Sequence, residues 1–260
     1  MRKLFVLLTS VFLVLTLGGF TGDAGFSRGM VSVTFDDGWA SQHRNALPIL
    51  DKYGIPATMY IHSGAIDEQP TYMTQEQIQD FADRGHEIAS HSVTHAHLRE
   101  VPASRLDAEL RESQATLRQL FGPAAATSFA SPYAEYNDAT LAAIRQVYSN
   151  QRAYDDDGTD DSGFNTRLNY DSYNLRVKFV DATTTTATVQ GWIDSAKFYN
   201  AWLILGYHEV GENIGGGVYT TDTAVLDADM KAVRDSGLGI VTVADGAAEA
   251  LPQASVNLPG

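Results

Sequence analysis

The sequence predicts a single α/β domain, a parallel sheet or barrel with covering helices, on three observations. Strand-like apolar runs alternate with amphipathic stretches along most of the chain. Polar residues able to do chemistry stand where strand-like runs give way to loops. No internal repeat and no linker interrupts the alternation.

The elements follow in order. Met30 to Phe35 is a short β-rich run that ends in a polar turn, and Gln42 to Tyr53 then carries apolar residues at helical spacing up to the stop Gly54-Ile55-Pro56. Ala57 to Ile61 repeats the strand signal. Thr74 to Asp83 opens with a Thr-Gln-Glu-Gln capping pattern and closes before Gly85, and Glu87 to Ser90 is a third strand. Pro102 to Phe121 is a long amphipathic helix stopped by Gly122-Pro123; the strand Ser128 to Ala130 and the helix Asp138 to Tyr148 come next. Between Asn150 and Thr186 Gly, Asp, Asn and Thr break the pattern, so Tyr154 to Asn174 reads as loop and Leu175 to Val180 as a strand. Regularity returns with helix Val189 to Tyr199, strand Trp202 to Tyr207, helix Asp222 to Ser236 and strand Gly239 to Val243.

Before the first strand, Arg2 and Lys3 precede the apolar run Leu4 to Leu17, and Gly22 and Ala24 stand at the spacing a signal peptidase favours. That apolar run is shorter than the ~20 residues of a spanning helix. Residues 1–24 are therefore expected to be a signal peptide and 25–260 the folded domain, secreted or extracytoplasmic, with no stable membrane insertion after cleavage. A chain of 260 residues with 44% hydrophobic content supports a substantial core. With no cysteine, neither a disulfide nor a thiol ligand or nucleophile is available, so any metal site uses His, Asp and Glu. A net charge of −14 argues against nucleic acid as a partner, because phosphate recognition depends on clustered Lys and Arg. Part of the acidity, at Asp155, Asp156, Asp157, Asp160 and Asp161, reads as a solvated loop.

Three polar clusters close strands: Asp36-Asp37 after the first, His91 and His95 after the third, and His208 after a late one. In parallel α/β folds the carboxyl ends of the strands share one edge or mouth, so these clusters converge on one site. In Thr34-Phe35-Asp36-Asp37-Gly38 two neighbouring carboxylates repel unless a cation relieves them. A divalent metal lets one Asp bind while the other accepts a proton, although the same tripeptide also occurs as a plain turn. His91-Ser92-Val93-Thr94-His95 sets two imidazoles four residues apart, on one side of a helical turn, which suits two metal ligands. His97 makes the segment His-rich as well. Asp37, His91 and His95 together leave coordination positions open, a catalytic arrangement that suits Zn2+ and also Co2+ or Ni2+.

These residues resemble the first two signature motifs of the NodB-type polysaccharide deacetylases, carbohydrate esterase family 4. The similarity runs from about Val31 to about Val243, with Ser131-Pro132-Tyr133 resembling the third motif and Leu203 to His208 the final Leu-x-His motif. The resemblance implies a distorted (β/α) barrel, incomplete relative to a full eight-fold barrel, with its groove at the carboxyl ends of the strands. It implies Asp36 as general base, Asp37, His91 and His95 as metal ligands, and His208 as general acid. Tyr133 resembles the position whose backbone N–H helps to hold the oxyanion. In many relatives the third motif begins with an Arg that orients the base; here the residue is Ala130, and Arg176 in the strand Leu175 to Val180 is the candidate to supply that charge. No Asp-x-Asp-Trp motif occurs, so the partner of His208 is unassigned. Trp39 is a further candidate, for stacking on a sugar ring.

The expected activity is removal of N-acetyl groups from an N-acetylglucosamine-containing polysaccharide of chitin, peptidoglycan or poly-N-acetylglucosamine type. The alternatives are an O-acetyl esterase acting on xylan, since the same site attacks either acyl linkage, and a non-catalytic carbohydrate-binding relative, which the Ala130 departure keeps open. The oligomeric state is not legible.

Overall fold

The computed structural model describes residues 25–153, 163–212 and 217–254. The expected cleavage site and the acidic run Asp155 to Asp161 lie outside them.

Strand β1 (Met30–Phe35) is the axis of the fold, and every one of its residues is buried. It pairs in parallel with β8 (Trp202–Tyr207) along its whole length. On its other side the first half pairs with β11 (Gly239–Ile240) and the second half with β2 (Ala57–Ile61). The sheet continues through β3 (Glu87–Ser90), β4 (Ser128–Ala130) and β5 (Asn150–Arg152). A parallel bridge from Arg152 to Leu175, and the pairing of β7 (Lys178–Phe179) with β8, tie the far edge back towards the start. The result is a curled sheet of mainly parallel strands short of a full eight-fold barrel, as expected. Short strand β6 (Phe164–Asn165) runs antiparallel to β8 within the stretch expected to be loop.

Alternation along the strands divides the apolar residues into two cores. Val31, Val33 and Phe35 face outwards and join residues of the covering helices α1 (Leu47–Tyr53), α2 (Gln75–Asp83), α3 (Ala103–Phe121), α4 (Asp138–Ile144), α5 (Thr186–Tyr199) and α6 (Thr223–Asp235). Met30, Tyr60, Ala89, Ala130, Val177, Trp202 and Ile204 face inwards and form the second. A π-helical turn, Gln42–Ala46, precedes α1, and the expected Thr74–Gln77 capping box opens α2.

Some elements differ from expectation. Helix α4 stops at Ile144, because the following turn carries the Tyr148 side chain inwards, where its hydroxyl donates to the Leu110 carbonyl. The strand expected over Leu175 to Val180 shrinks to β7 plus the Leu175 bridge. The strand expected to reach Val243 ends at Ile240, and Val243 instead opens α7 (Val243–Ala254). That helix closes the inner core from below. Its first amides donate to the Thr58 hydroxyl and the Glu87 carboxylate, at 2.9 and 3.0 Å.

No helix among the described residues is long and apolar enough to cross a membrane.

Candidate metal and catalytic site

Strand β1 delivers both acids. The Asp36 amide donates to the Tyr207 carbonyl, continuing the β1–β8 ladder by one residue. Asp37 and Gly38 then take left-handed conformations, with φ of 75° and 77°. A Cβ on Gly38 would also approach Ile61 to 3.2 Å, so the turn needs glycine for its backbone and for space. The two consecutive left-handed residues turn the neighbouring carboxylates to different tasks.

Asp37 faces two imidazoles. Its Oδ1 lies 3.5 Å from His91 Nε2 and 3.2 Å from His95 Nε2, and Oδ2 accepts from the Trp39 indole N–H at 2.9 Å. Three ligand atoms, one from each of Asp37, His91 and His95, lie within 4.8 Å of one another. His91 Nδ1 is 2.8 Å from the Ala130 carbonyl, which can only accept, so Nδ1 carries the proton and Nε2 keeps its lone pair towards Asp37. Burial lowers the His95 pKa to about 4, with the charge of His91 acting in the same direction, so its ring is neutral near pH 7. Burial pushes the Asp37 carboxyl up, but the neighbouring His91, His208 and His95, in their protonated forms, outweigh it and hold the group well below the ordinary range. Asp37 Oδ1 is buried and accepts no hydrogen bond. A buried carboxylate oxygen without a donor, within 3.5 Å of the Nε2 atoms of two imidazoles, fits a divalent cation.

The His pair does not lie on a helical turn as expected. Ser92 and His95 both have positive φ, 69° and 56°, and the segment between them is a loop that brings the rings together, centroids 4.8 Å apart.

Asp36 is held from the opposite side. Arg152, on β5, places Nη2 at 2.7 Å and 2.6 Å from the two carboxylate oxygens, and both side chains are almost wholly buried. The guanidinium lies over the Tyr60 and Phe179 rings, 4.7 and 5.2 Å from their centroids. This corrects the expectation for Arg176, whose Nη1 donates to the Asn169 carbonyl. Sequence reasoning missed Arg152 because its strand, Asn-Gln-Arg, has no apolar residue. The remaining signal was a lone Arg next to a break in the pattern.

His208 Nε2 lies 3.6 Å from Asp36 Oδ2. Its Nδ1 is buried without a hydrogen bond, and the ring is stacked on Tyr219 at 4.8 Å and tilted against Phe179 at 5.6 Å. Among the described residues, aromatic rings and not a carboxylate orient His208. Burial lowers its pKa, against the raising charges of Asp36 and Asp37. Tyr219 had no sequence signal.

Of the other candidates, Tyr133 stands at the rim, 52% exposed, its ring parallel to His97 at 3.8 Å and edge-on to His95 at 4.5 Å. Its backbone is left-handed, φ 56°. Trp39, expected to offer its ring to a sugar, has its N–H on Asp37 and a face stacked on Tyr72 at 4.9 Å, which makes it a support for Asp37. His62 is buried at the mouth, in edge contact with Tyr72. His86 lies elsewhere and accepts from the Ala57 amide at 3.0 Å.

A curled parallel sheet with paired acids, two histidines and a further histidine at its carboxyl mouth defines a class that comparison with known proteins places. Residues 23–149 match the family profile described as polysaccharide deacetylase, so over this stretch the chain is a polysaccharide deacetylase domain of the NodB, carbohydrate esterase family 4 type. The polysaccharide deacetylase homologue YxkH of Bacillus subtilis (strain 168) is 31% identical over 127 residues, 49% of this chain and 45% of that protein. The chain thus matches less than half the length of this curated relative. Two solved structures share the fold. The carbohydrate esterase 4 domain of a multidomain xylanase from the hindgut metagenome of Trinervitermes trinervoides has a TM-score of 0.57 at 19% identity, over 84% of this chain and 89% of that one. The Bc1960 peptidoglycan N-acetylglucosamine deacetylase has a TM-score of 0.59 at 18% identity, over 84% and 88%.

Proposed function

We propose that the protein hydrolyses N-acetyl groups of an N-acetylglucosamine-containing polysaccharide outside the cytoplasm, with a divalent cation, Zn2+ foremost and Co2+ or Ni2+ as alternatives, held by Asp37, His91 and His95. The observation that carries this reading is the division of labour between adjacent acids: Asp37 turns an unsatisfied oxygen to two imidazoles, while Asp36 is anchored on Arg152. When bound, the cation supplies Lewis acidity to the acetyl carbonyl and to the attacking water.

The chain's own residues do the rest. Asp36, fixed by Arg152, takes the proton of the attacking water. His208, across the mouth, delivers a proton to the departing amine. The Tyr133 backbone N–H donates to the developing oxyanion, a role that needs no particular side chain. The guanidinium on Asp36 also weakens the non-catalytic alternative, which rested on Ala130 leaving the base without a partner.

A second reading, O-acetyl ester hydrolysis on xylan, draws support from a relative named as a bifunctional xylanase/deacetylase of Pseudobutyrivibrio xylanivorans, 25% identical over 121 residues. Acetate release from N-acetylglucosamine oligomers and from acetylated xylan, by metal-stripped and metal-restored protein, separates the readings. Release from the amino sugar that returns with metal and disappears in Asp36→Asn and His91→Ala is the expected result. Release from xylan alone moves the assignment to an esterase, and release from neither substrate defeats both.

A further inference from the structure

The loop that carries the two histidines has an unusual support. Between His91 and His95 the backbone makes no helical turn, and two non-glycine residues in it are left-handed, a conformation unfavourable for L-residues. Apart from one hydrogen bond within the loop, from the His95 amide to the Ser92 hydroxyl, its polar groups are tied from outside. Ser63 and Gly64 donate to the Ser92 and Val93 carbonyls at 3.0 and 2.9 Å, and the Ser113 hydroxyl also donates to Ser92. The remaining donors, the amides of Val93 and Thr94 and the Thr94 hydroxyl, all converge on one carboxylate, Glu109 of α3, at 3.0, 2.9 and 2.6 Å.

Glu109 is out of place on its helix. It is 3% exposed on the face that α3 buries with Leu106, Leu110, Ser113 and Leu117, where an acid costs stability unless it is fully hydrogen-bonded. Its donors come from the histidine loop and from Arg105, a 3.3 Å contact one turn earlier on α3. A carboxylate that accepts two adjacent amides fixes the peptide plane between them, and with it the directions of the flanking Ser92 and His95.

We propose that Glu109 is a positioning residue for the metal site: it sets the spacing and orientation of His91 and His95 before any metal arrives. The inference rests on the metal reading above and adds to it a residue that no motif contains. Removing the carboxylate leaves buried amides without acceptors and lets the strained loop relax, so the His pair loses its preset geometry.

The test reads metal, not turnover. Zn2+ affinity is measured by competition with a chromophoric chelator, and the visible spectrum of the Co2+-loaded protein reports coordination geometry, both without substrate. Glu109→Ala is expected to weaken Zn2+ binding about 10–100-fold and to change the Co2+ bands. Glu109→Gln, whose oxygen can still accept the two amides while its NH2 donates to the Thr94 hydroxyl, is expected to recover most of the affinity. Leu117→Ala, a cavity in the same helix, controls for lost stability and should leave affinity unchanged. Should Glu109→Ala fail to fold, Thr94→Val removes one of the three donors and is expected to weaken binding several-fold. Unchanged affinity in Glu109→Ala, or an equal loss in Leu117→Ala, overturns the proposal while leaving the metal reading intact. Absence of Zn2+ binding by the unaltered protein overturns both.

Discussion

Arg152 and Ala130 are register partners, side by side in the β4–β5 ladder. The family resemblance places an orienting Arg at the position of Ala130; this chain carries the guanidinium one strand over, and it reaches Asp36 all the same. Ala130, wholly buried, leaves room for it and lends its carbonyl to His91. Arg152→Met is expected to destabilise the fold by about 3–5 kcal/mol, because it strands a buried carboxylate. Asp36→Asn in the same chain should restore a large part of that loss in urea unfolding. Moving the charge back, Ala130→Arg with Arg152→Ala, is expected to recover acetate release that Arg152→Ala alone abolishes. If the two chains are equally inactive, the guanidinium is specific to its strand.

Metal and stability should be linked through Asp37. Zn2+ at a hundred times its dissociation constant adds about 2.7 kcal/mol to a protein that binds it only when folded. The thermal midpoint is expected to rise with Zn2+ and to fall back on chelation, with neither change in Asp37→Ala. A metal-induced rise that persists in Asp37→Ala would place the ion elsewhere.

A pH effect separate from the active site should come from His86. Burial, more than its neighbouring charges, lowers its pKa from 6.5 to about 4, and its Nδ1 accepts from the Ala57 amide. The folded pKa lies below the unfolded one, so the unfolded chain binds the proton first. The stability tied to the neutral ring is complete above pH 6.5 and is lost as pH falls towards about 4. The loss is at most roughly 3 kcal/mol, at 1.36 kcal/mol per unit. His86→Gln should flatten this part of the stability–pH curve; an unaltered slope would mean that the ring is protonated without strain. His62 and His95 titrate low for the same first reason, so the difference between the two curves isolates His86.

The floor of the inner core depends on a cap from a distant strand. Glu87→Ala removes the acceptor of the Ala244 amide and is expected to lower stability by about 1–2 kcal/mol through the start of α7. Zn2+ affinity should not change, because Glu87 lies at the opposite end of β3 from His91. A coupled loss of metal binding would show that floor and mouth are not independent.

The residues explain what the sequence revealed and what it concealed. Strands β1, β2 and β8 were legible because their apolar runs are buried on both faces. Asp36, Asp37, His91, His95 and His208 stood out because acids and imidazoles at the ends of such runs have few other reasons to recur. Strand β5 was hidden because Asn150, Gln151 and Arg152 are buried by pairing and charge, not by hydrophobicity. Helix α7 was hidden because Gly246 and Pro252, the two poorest helix formers by type, stand within its twelve residues. Yet a Cβ on Gly246 would come within 2.5 Å of the Trp202 ring, so that glycine lets the helix close against the core. The four-residue spacing of the histidines suggested a helix, whereas left-handed residues, held by contacts from far along the chain, shape the segment.

The placement of β1 also governs how the chain reaches this state. Its neighbours β8 and β11 are made some 170 and 210 positions later, at Met30↔Trp202 and Met30↔Gly239, whereas β2 to β5 add one after another as they emerge. Until the last quarter of the chain has been synthesised, the central strand is an open edge, with its backbone N–H and C=O groups unpaired on one side. Long-range pairing of this kind is slow and prone to aggregation. Substitutions that weaken β8 will therefore reduce the yield of folded protein more than they reduce the stability of the molecules that do fold.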